Sequence, residues 1–209
     1  MKSPGVLLFS APLCFAGYGV IRLFGLADGH YGPGIDWQAA HIVGLVGMVL
    51  FVPAVLGLER LLPQSKWRMG TVIVTLIGLA ATIVQFGADI AFAALAADKA
   101  DMSRLSREFS AVPGVRLAFY EVGPPLFFVG LTGLTVLLVR AGRLPWWSPV
   151  VLAVSAMVPM LTLDLIPLAG LGILASVVGL RRPAERFEAS SPALHLGPEK
   201  ECRVDGSPW

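Results

Sequence analysis

The chain has 209 residues, of which 56% are hydrophobic and only 14% are charged, and its mean hydropathy is +0.74. An ordinary soluble domain carries roughly 25% charged residues, so this composition excludes such a domain. A protein embedded in a bilayer needs less polar cover because lipid solvates most of its outer surface. The net charge of +2, with basic residues mainly at the ends of apolar segments, indicates membrane topology rather than nucleic-acid binding.

Four apolar segments are long enough to predict membrane-spanning helices. The first two cover residues 6–26 and 37–62, and a turn rich in Gly and Pro separates them. The third covers residues 70–97, and at 1.5 Å per residue it would be about 42 Å long, more than a ~30 Å hydrocarbon core requires. The fourth covers residues 117–139.

A fifth apolar stretch, residues 146–180, is interrupted by Pro159, Asp164 and Pro167. Proline in a helix interior removes a hydrogen bond and bends or ends the helix. We therefore expect two short helices that meet near Asp164. The alternative is a single long kinked helix.

The distribution of basic residues favours six spans over five. Six spans place most of the loop Lys and Arg residues on one side of the membrane, and the positive-inside rule then predicts that both termini are cytoplasmic. The predicted fold is thus an all-α integral membrane helical bundle over residues 1–182, followed by a disordered cytoplasmic tail over residues 183–209. The cytoplasmic side would hold Lys2, Arg60, Lys66, Arg68, Arg140, Arg143, Arg181, Arg182 and Arg186, and the opposite side Lys99, Arg104, Arg107 and Arg116.

Small and polar residues recur at steps of three and four in the third and fourth apolar segments, so each set lies on one helical face. We expect these two faces to turn toward each other and away from lipid. The third segment contributes Thr75, Gly78, Thr82, Gln85 and Asp89, and the fourth contributes Glu121, Pro125, Phe128, Thr132 and Thr135.

Ionisable residues collect near the extracytoplasmic ends of the predicted helices, which predicts an acid-rich pocket on that side. Desolvation favours the neutral form of a carboxylic acid, so a carboxyl group in such a pocket can act as a general acid or a proton carrier. The carboxylates are Asp89, Glu121 and Asp164, and their polar neighbours are Arg22, His41 and Gln85. Over the pocket, Met102, Leu105, Phe109 and Val112 share one face of a short predicted interfacial helix, which we hypothesise is a lid.

The leading functional prediction is a membrane enzyme that cyclises or isomerises an isoprenoid or lipid-like substrate by acid catalysis. Asp89, Glu121 and Asp164 are the candidate catalytic acids. In size, helix count and isolated acids, the chain resembles the small multi-pass membrane terpene cyclases, although no motif of that family matches residue by residue. Aromatic rings would stabilise a carbocation through cation–π attraction. The candidate substrate-binding residues are Arg22, His41, Gln85, Phe86, Tyr120 and Phe128.

Two other classes of protein fit the same residues. One is a proton-coupled small-solute transporter with Asp89 and Glu121 as proton carriers. The other is a membrane protein that serves as a non-catalytic accessory subunit. No cofactor or metal is predicted, because Cys14 and Cys202 match no metal-binding or redox spacing. The expected partners are membrane lipids and a hydrophobic small molecule, in the cell membrane. The preference for Arg over Lys is typical of bacteria with GC-rich genomes.

Overall fold

The computed structural model describes residues 4–27 and 32–180. The predicted tail, residues 183–209, lies outside these ranges, as do Lys2, Arg181, Arg182 and Arg186. Within the described ranges the chain is helical and contains no β-strand. The helices are α1 (Pro4–Ala27), α2 (Ile35–Glu59), α3 (Lys66–Leu95), α4 (Lys99–Ala111), α5 (Gly123–Arg140), α6 (Ser148–Leu161) and α7 (Ile166–Val178).

Four helices are long and apolar enough to cross a membrane. They are α1, α2, α3 and the continuous helical stretch Arg116–Arg140, which consists of a π-helical segment, Arg116–Val122, followed by α5. The apolar helices α6 and α7 are shorter, and a 3-10 turn, Leu163–Leu165, separates them. These boundaries agree with the apolar segments of the sequence to within a few residues.

The six apolar helices form a closed ring. Each helix contacts the next in the order α1, α2, α3, α5, α6 and α7, and α7 then returns to contact α1. Neighbours run antiparallel: Gly17 on α1 approaches Val43 on α2, whereas Gly47 approaches Cys14. One end of the ring, called the Asp89 end below, holds Ala27, Leu95 and Arg116, and the other, the Arg140 end, holds Lys66 and Arg140.

The short helices α6 and α7 form an antiparallel hairpin, as expected for two helices rather than one long kinked helix. Gly172 on α7 faces Ser155 on α6, and Gly179 faces Pro145, so the chain reverses near Leu163. At 1.5 Å per residue each helix is about 20 Å long. That is shorter than the ~30 Å hydrocarbon core of a typical bilayer.

Glycines allow α3 and α5 to approach closely. A Cβ added at Gly78 would overlap the backbone of Phe127, and one at Gly130 would overlap Thr75. The expected pairing of two polar stripes is therefore only half right. The α3 stripe does face α5, but the α5 face that meets it carries Gly123, Gly130 and Gly133 instead of Glu121, Phe128 and Thr132.

The two halves of the ring differ in how they are filled. Toward the Arg140 end, large aliphatic side chains occupy the centre, and they are at most 2% exposed: Leu79, Leu134, Leu138, Leu152 and Ile173. Toward the Asp89 end a cavity remains between the helices. The helix α4 lies beside the ring and contacts the end of α3.

Candidate functional site at the Asp89–Tyr120 pair

The π-helical segment before α5 decides where Tyr120 and Glu121 lie. Pro124 and Pro125 have no N–H, so they cannot bond the carbonyl groups of Tyr120 and Glu121 as an α-helix would require. The N–H of Gly123 instead donates to the carbonyl of Ala118, five residues earlier. A π-turn of this kind shifts the helical phase and is frequent at functional sites.

The Tyr120 hydroxyl donates a hydrogen bond to Asp89 Oδ1, at 3.2 Å between the oxygen atoms. This bond joins the π-helical segment to α3. Tyr120 is the hydrogen-bond partner of the Asp89 carboxyl among the described side chains, and no guanidinium or ammonium of the described residues lies within 4.0 Å of it. Both side chains are half-buried. The pair therefore joins a neutral hydroxyl to a carboxyl group that has no ionic partner in this part of the chain.

The other two candidate acids are held in ion pairs. Arg22 Nη1 lies 2.8 Å from Asp164 Oδ1, and Arg116 Nε lies 2.8 Å from Glu121 Oε1. Each of these two carboxylates is therefore held against a guanidinium group, whereas the Asp89 carboxyl is bonded by a neutral hydroxyl. The predicted cluster of three acids is therefore three separate pairs at the Asp89 end of the ring.

His41 lies within an aromatic cluster. It is 4% exposed, its ring stacks on Trp37 with centroids 4.1 Å apart, and its Nδ1 is 2.9 Å from the Trp37 carbonyl oxygen. Tyr18 and Phe86 contact the same ring, with centroids at 5.4 Å and 5.7 Å. These contacts give His41 a packing role between α1, α2 and α3.

A central cavity of about 270 Å³ lies inside the ring near the Asp89 end. All six apolar helices contribute to its wall, which is mostly aromatic or aliphatic. Tyr120 lies at the end nearest Asp89, while Met48 and Ala156 come from the middle of their helices. The predicted residues Gln85, Phe86, Tyr120 and Phe128 all line this cavity, with Tyr18, Phe15, Thr82, Pro125 and Phe127 among their neighbours.

Two further cavities lie between α4 and the ring. The Asp89 cavity, about 330 Å³, is lined by Asp89, Trp37, Phe92, Met102, Ser103, Ser106 and Arg107. The Arg107 cavity, about 460 Å³, is lined by Ser106, Arg107, Ser110, Ala111, Arg116 and Tyr120. Tyr120 thus lines both the Arg107 cavity and the central cavity.

Four α4 residues that line these cavities were not predicted as site residues from the sequence: Ser103, Ser106, Arg107 and Ser110. Met102 and Phe109 were expected to share one face of α4. Met102 lines the Asp89 cavity, and Phe109 contacts Phe92 of α3, with ring centroids 5.4 Å apart. Ser106 and Arg107 lie beside that face and complete both cavities. The signal that could have found them is the spacing of Ser103, Ser106 and Ser110, which puts three hydroxyls on one side of a helix.

Comparisons of the chain with known protein families, with curated proteins and with solved structures find no match. The function is therefore inferred from the geometry of this chain alone.

Proposed function

We propose that the chain is an integral membrane protein of six spans, with both termini in the cytoplasm and the Asp89 end of the ring facing outward. The four long apolar helices and the apolar faces of α6 and α7 support this arrangement. Arg60, Lys66, Arg140 and Arg143 lie at or near the Arg140 end, as the positive-inside rule expects of a cytoplasmic face. The short α6–α7 hairpin would span by local thinning of the bilayer.

Within this protein, the proposed function is acid-catalysed isomerisation or cyclisation of an isoprenoid or similar lipid-like substrate. The observation that carries the proposal is that Tyr120, whose hydroxyl bonds Asp89, also lines the central cavity. An apolar cavity with few polar groups suits a substrate dissolved in the bilayer. Aromatic rings around it would stabilise positive charge on the substrate.

The proposed cycle moves one proton through Tyr120. For this step the hydrogen bond reverses its direction: Asp89 in its acid form donates to the Tyr120 oxygen, while the Tyr120 hydroxyl turns to the substrate and protonates an epoxide oxygen or an alkene carbon. The resulting carbocation rearranges next to Phe86 and Phe128. It then loses a proton from a neighbouring carbon, and that proton returns through Tyr120 to the Asp89 carboxylate. No atom is gained or lost, so the product is an isomer of the substrate.

The first experiment compares apolar extracts by mass spectrometry from cells that express wild type or Asp89→Asn and are fed prenylated precursors. Protein levels are matched by blot, and Asp36→Asn, the same substitution at an exposed position in the first turn of α2, is the control. We expect a product isomeric with a precursor in wild type and Asp36→Asn, and none with Asp89→Asn. Equal product from all three proteins would reject Asp89 as the acid, and no product from well-folded wild type would reject the enzyme.

A second experiment tests whether the central cavity holds the substrate. Ala156→Phe places a ring into the cavity, whereas Val154→Phe places the same ring on the outer surface of α6, where Val154 is 59% exposed. We expect Ala156→Phe to abolish product while Val154→Phe retains it. Thermal unfolding in detergent shows whether both variants fold. Retention of product in a folded Ala156→Phe variant would place the substrate elsewhere.

Topology is tested with single cysteines in a background that lacks Cys14 and Cys202. An impermeant maleimide added to intact cells should label cysteines at Ser103 and Leu165 but not at Ser65. Labelling at Ser65 instead of Ser103 would invert the orientation. Protection of the Leu165 position, with Ser103 labelled, would show that the α6–α7 hairpin does not reach the outer face.

A further inference from the structure

The Arg107 cavity has a different chemical character from the central cavity. Its wall combines two guanidinium groups, Arg107 and Arg116, with the hydroxyls of Ser106, Ser110 and Tyr120. No carboxylate of the described residues contributes to the lining of this cavity.

The two arginines retain donors for a ligand. Arg107 forms no ion pair with the carboxylates of the described residues. Arg116 uses its Nε atom on Glu121, and a guanidinium has five N–H donors, so its two Nη groups are left for another acceptor. In contrast, Arg104 on the same helix as Arg107 is bound by both Asp101 and Glu108.

Two carboxylates lower the net positive charge near the Arg107 cavity. Glu121 neutralises part of the Arg116 charge, and Asp89 lines the adjacent Asp89 cavity together with Arg107. Neither lines the Arg107 cavity itself. An anion in the Arg107 cavity would therefore contact guanidinium groups and hydroxyl donors rather than a carboxylate.

From this arrangement we infer that the Arg107 cavity binds the phosphate group of a phosphorylated isoprenoid or similar lipid, while its apolar chain enters the central cavity. Guanidinium groups bind phosphate oxygens through paired N–H donors, and hydroxyls add further hydrogen bonds. Tyr120 lines both cavities, so a molecule with a phosphate at one end and an apolar chain at the other can pass beside it. This inference rests on the proposed function, because it names the substrate class of that site.

The test compares binding of geranyl phosphate, geraniol and inorganic phosphate to the full chain in phosphatidylcholine nanodiscs. Equilibrium dialysis with labelled ligand, corrected for empty nanodiscs, gives each Kd. We expect wild type to bind geranyl phosphate about tenfold or more tightly than geraniol, as charge-assisted hydrogen bonds predict. Inorganic phosphate alone should bind far more weakly than geranyl phosphate.

Variants then test whether the Arg107 cavity causes the difference in Kd between geranyl phosphate and geraniol. Arg107→Gln and Arg116→Gln should bring geranyl phosphate close to the affinity of geraniol. Lys99→Gln removes an exposed positive charge from the start of α4, and as the control it should leave the difference intact. Glu121→Gln releases Arg116 from its ion pair and should lower the Kd of geranyl phosphate. A gain in affinity of this kind cannot result from misfolding.

Four outcomes would overturn the inference. Equal affinities for geranyl phosphate and geraniol would show that the phosphate group does not contribute to binding. This result would not contradict the proposed function. A loss with Lys99→Gln as large as with Arg107→Gln would show a general effect of surface charge. Full affinity for inorganic phosphate alone would identify a site for the free anion. Failure of both geraniol and geranyl phosphate to bind folded protein would remove the proposed function as well.

Discussion

Tyr120 and Asp89 meet at 3.2 Å although 31 positions separate them in the sequence. Their hydrogen bond crosses from the π-helical segment Arg116–Val122 to α3, and it lies between the central cavity and the Asp89 cavity. Because Tyr120 lines the apolar cavity and Asp89 does not, the proposed proton exchange between Asp89 and a substrate in that cavity runs through the Tyr120 hydroxyl. This order distinguishes the pair from two acids that act independently.

The first prediction concerns the hydroxyl itself. Tyr120→Phe keeps the ring but removes the group that would carry the proton, so product formation should fall by about 10² to 10⁴-fold, the usual contribution of a general acid or base. Loss of one hydrogen bond should change the free energy of unfolding by only about 1 kcal/mol. Mass spectrometry of the product and thermal unfolding in detergent measure the two effects.

Tyr18→Phe is the matched control, because Tyr18 also lines the central cavity. It should reduce product formation much less than Tyr120→Phe. If the two variants lose the same activity, Tyr120 serves only to shape the cavity, and the proton route through it is wrong.

The second prediction separates the three acids. Asp164 is 59% exposed and pairs with Arg22, whose side chain is 14% exposed, so its carboxylate is committed to a pair near the surface. Asp164→Asn should retain most product formation, and it should change the free energy of unfolding by no more than about 1 kcal/mol. Asp89→Asn should abolish product formation. Comparable losses from the two variants, at matched expression, would return Asp164 to the set of catalytic candidates.

Much of the fold follows from hydropathy alone, because each apolar segment must become a helix to satisfy its backbone in lipid. The hairpin of α6 and α7 also follows, since Pro159 and Pro167 interrupt the last apolar stretch. Hydropathy does not predict which helices contact each other. The pairing of Arg22 with Asp164, 142 positions apart, depends on the register of α1 against α7.

The position of Glu121 differs from the prediction for a local reason. Counting at 100° per residue assumes a regular α-helix from Leu117 onward, and this places Glu121 on the same face as Phe128. The π-helical segment shifts the helical phase before α5, so Tyr120 contacts Asp89 while Glu121 pairs with Arg116. The consecutive prolines Pro124 and Pro125 are the signal in the sequence from which a π-turn could be predicted.

The third prediction tests the close contact between α3 and α5. In Gly78→Ala the added methyl group would overlap the Phe127 backbone, whereas in Gly87→Ala, on the same helix, it would meet nothing within 4 Å. Overpacking of this kind typically costs about 1 to 3 kcal/mol, while Gly→Ala in an open helix position gains about 0.5 to 1 kcal/mol. Thermal unfolding in detergent should therefore show opposite shifts in Tm. Equal Tm values for both variants would contradict the contact.

The last prediction concerns α4 and pH. Asp98 Oδ1 accepts from the Asp101 N–H at 2.8 Å, and Asp101 Oδ2 accepts from the Ala97 N–H at 3.2 Å, so the two carboxylates cap the start of α4. The Arg104 guanidinium, followed by the Ala97 N–H, holds the pKa of Asp101 below its ordinary value of 3.8. Ionised Asp101 therefore stabilises the folded state. This stabilisation is complete above the pKa that Asp101 has in the unfolded chain, and it is lost as the pH falls through the lower pKa of the folded state.

Helix α4 should therefore stay ordered from neutral pH down to about pH 4 and lose order only below it, as Asp101 becomes protonated. Asp101→Asn should increase amide exchange in α4 already at pH 7, because an uncharged amide accepts more weakly from the Ala97 N–H and cannot pair with Arg104. Hydrogen exchange followed by mass spectrometry, corrected for the intrinsic rate at each pH, measures both effects. Glu108→Gln is the control: it also removes a partner of Arg104 but leaves the cap intact, so it should change exchange at the start of α4 much less. If it raises that exchange as much as Asp101→Asn does, the surface charge network orders α4, and the cap formed by Asp98 and Asp101 does not.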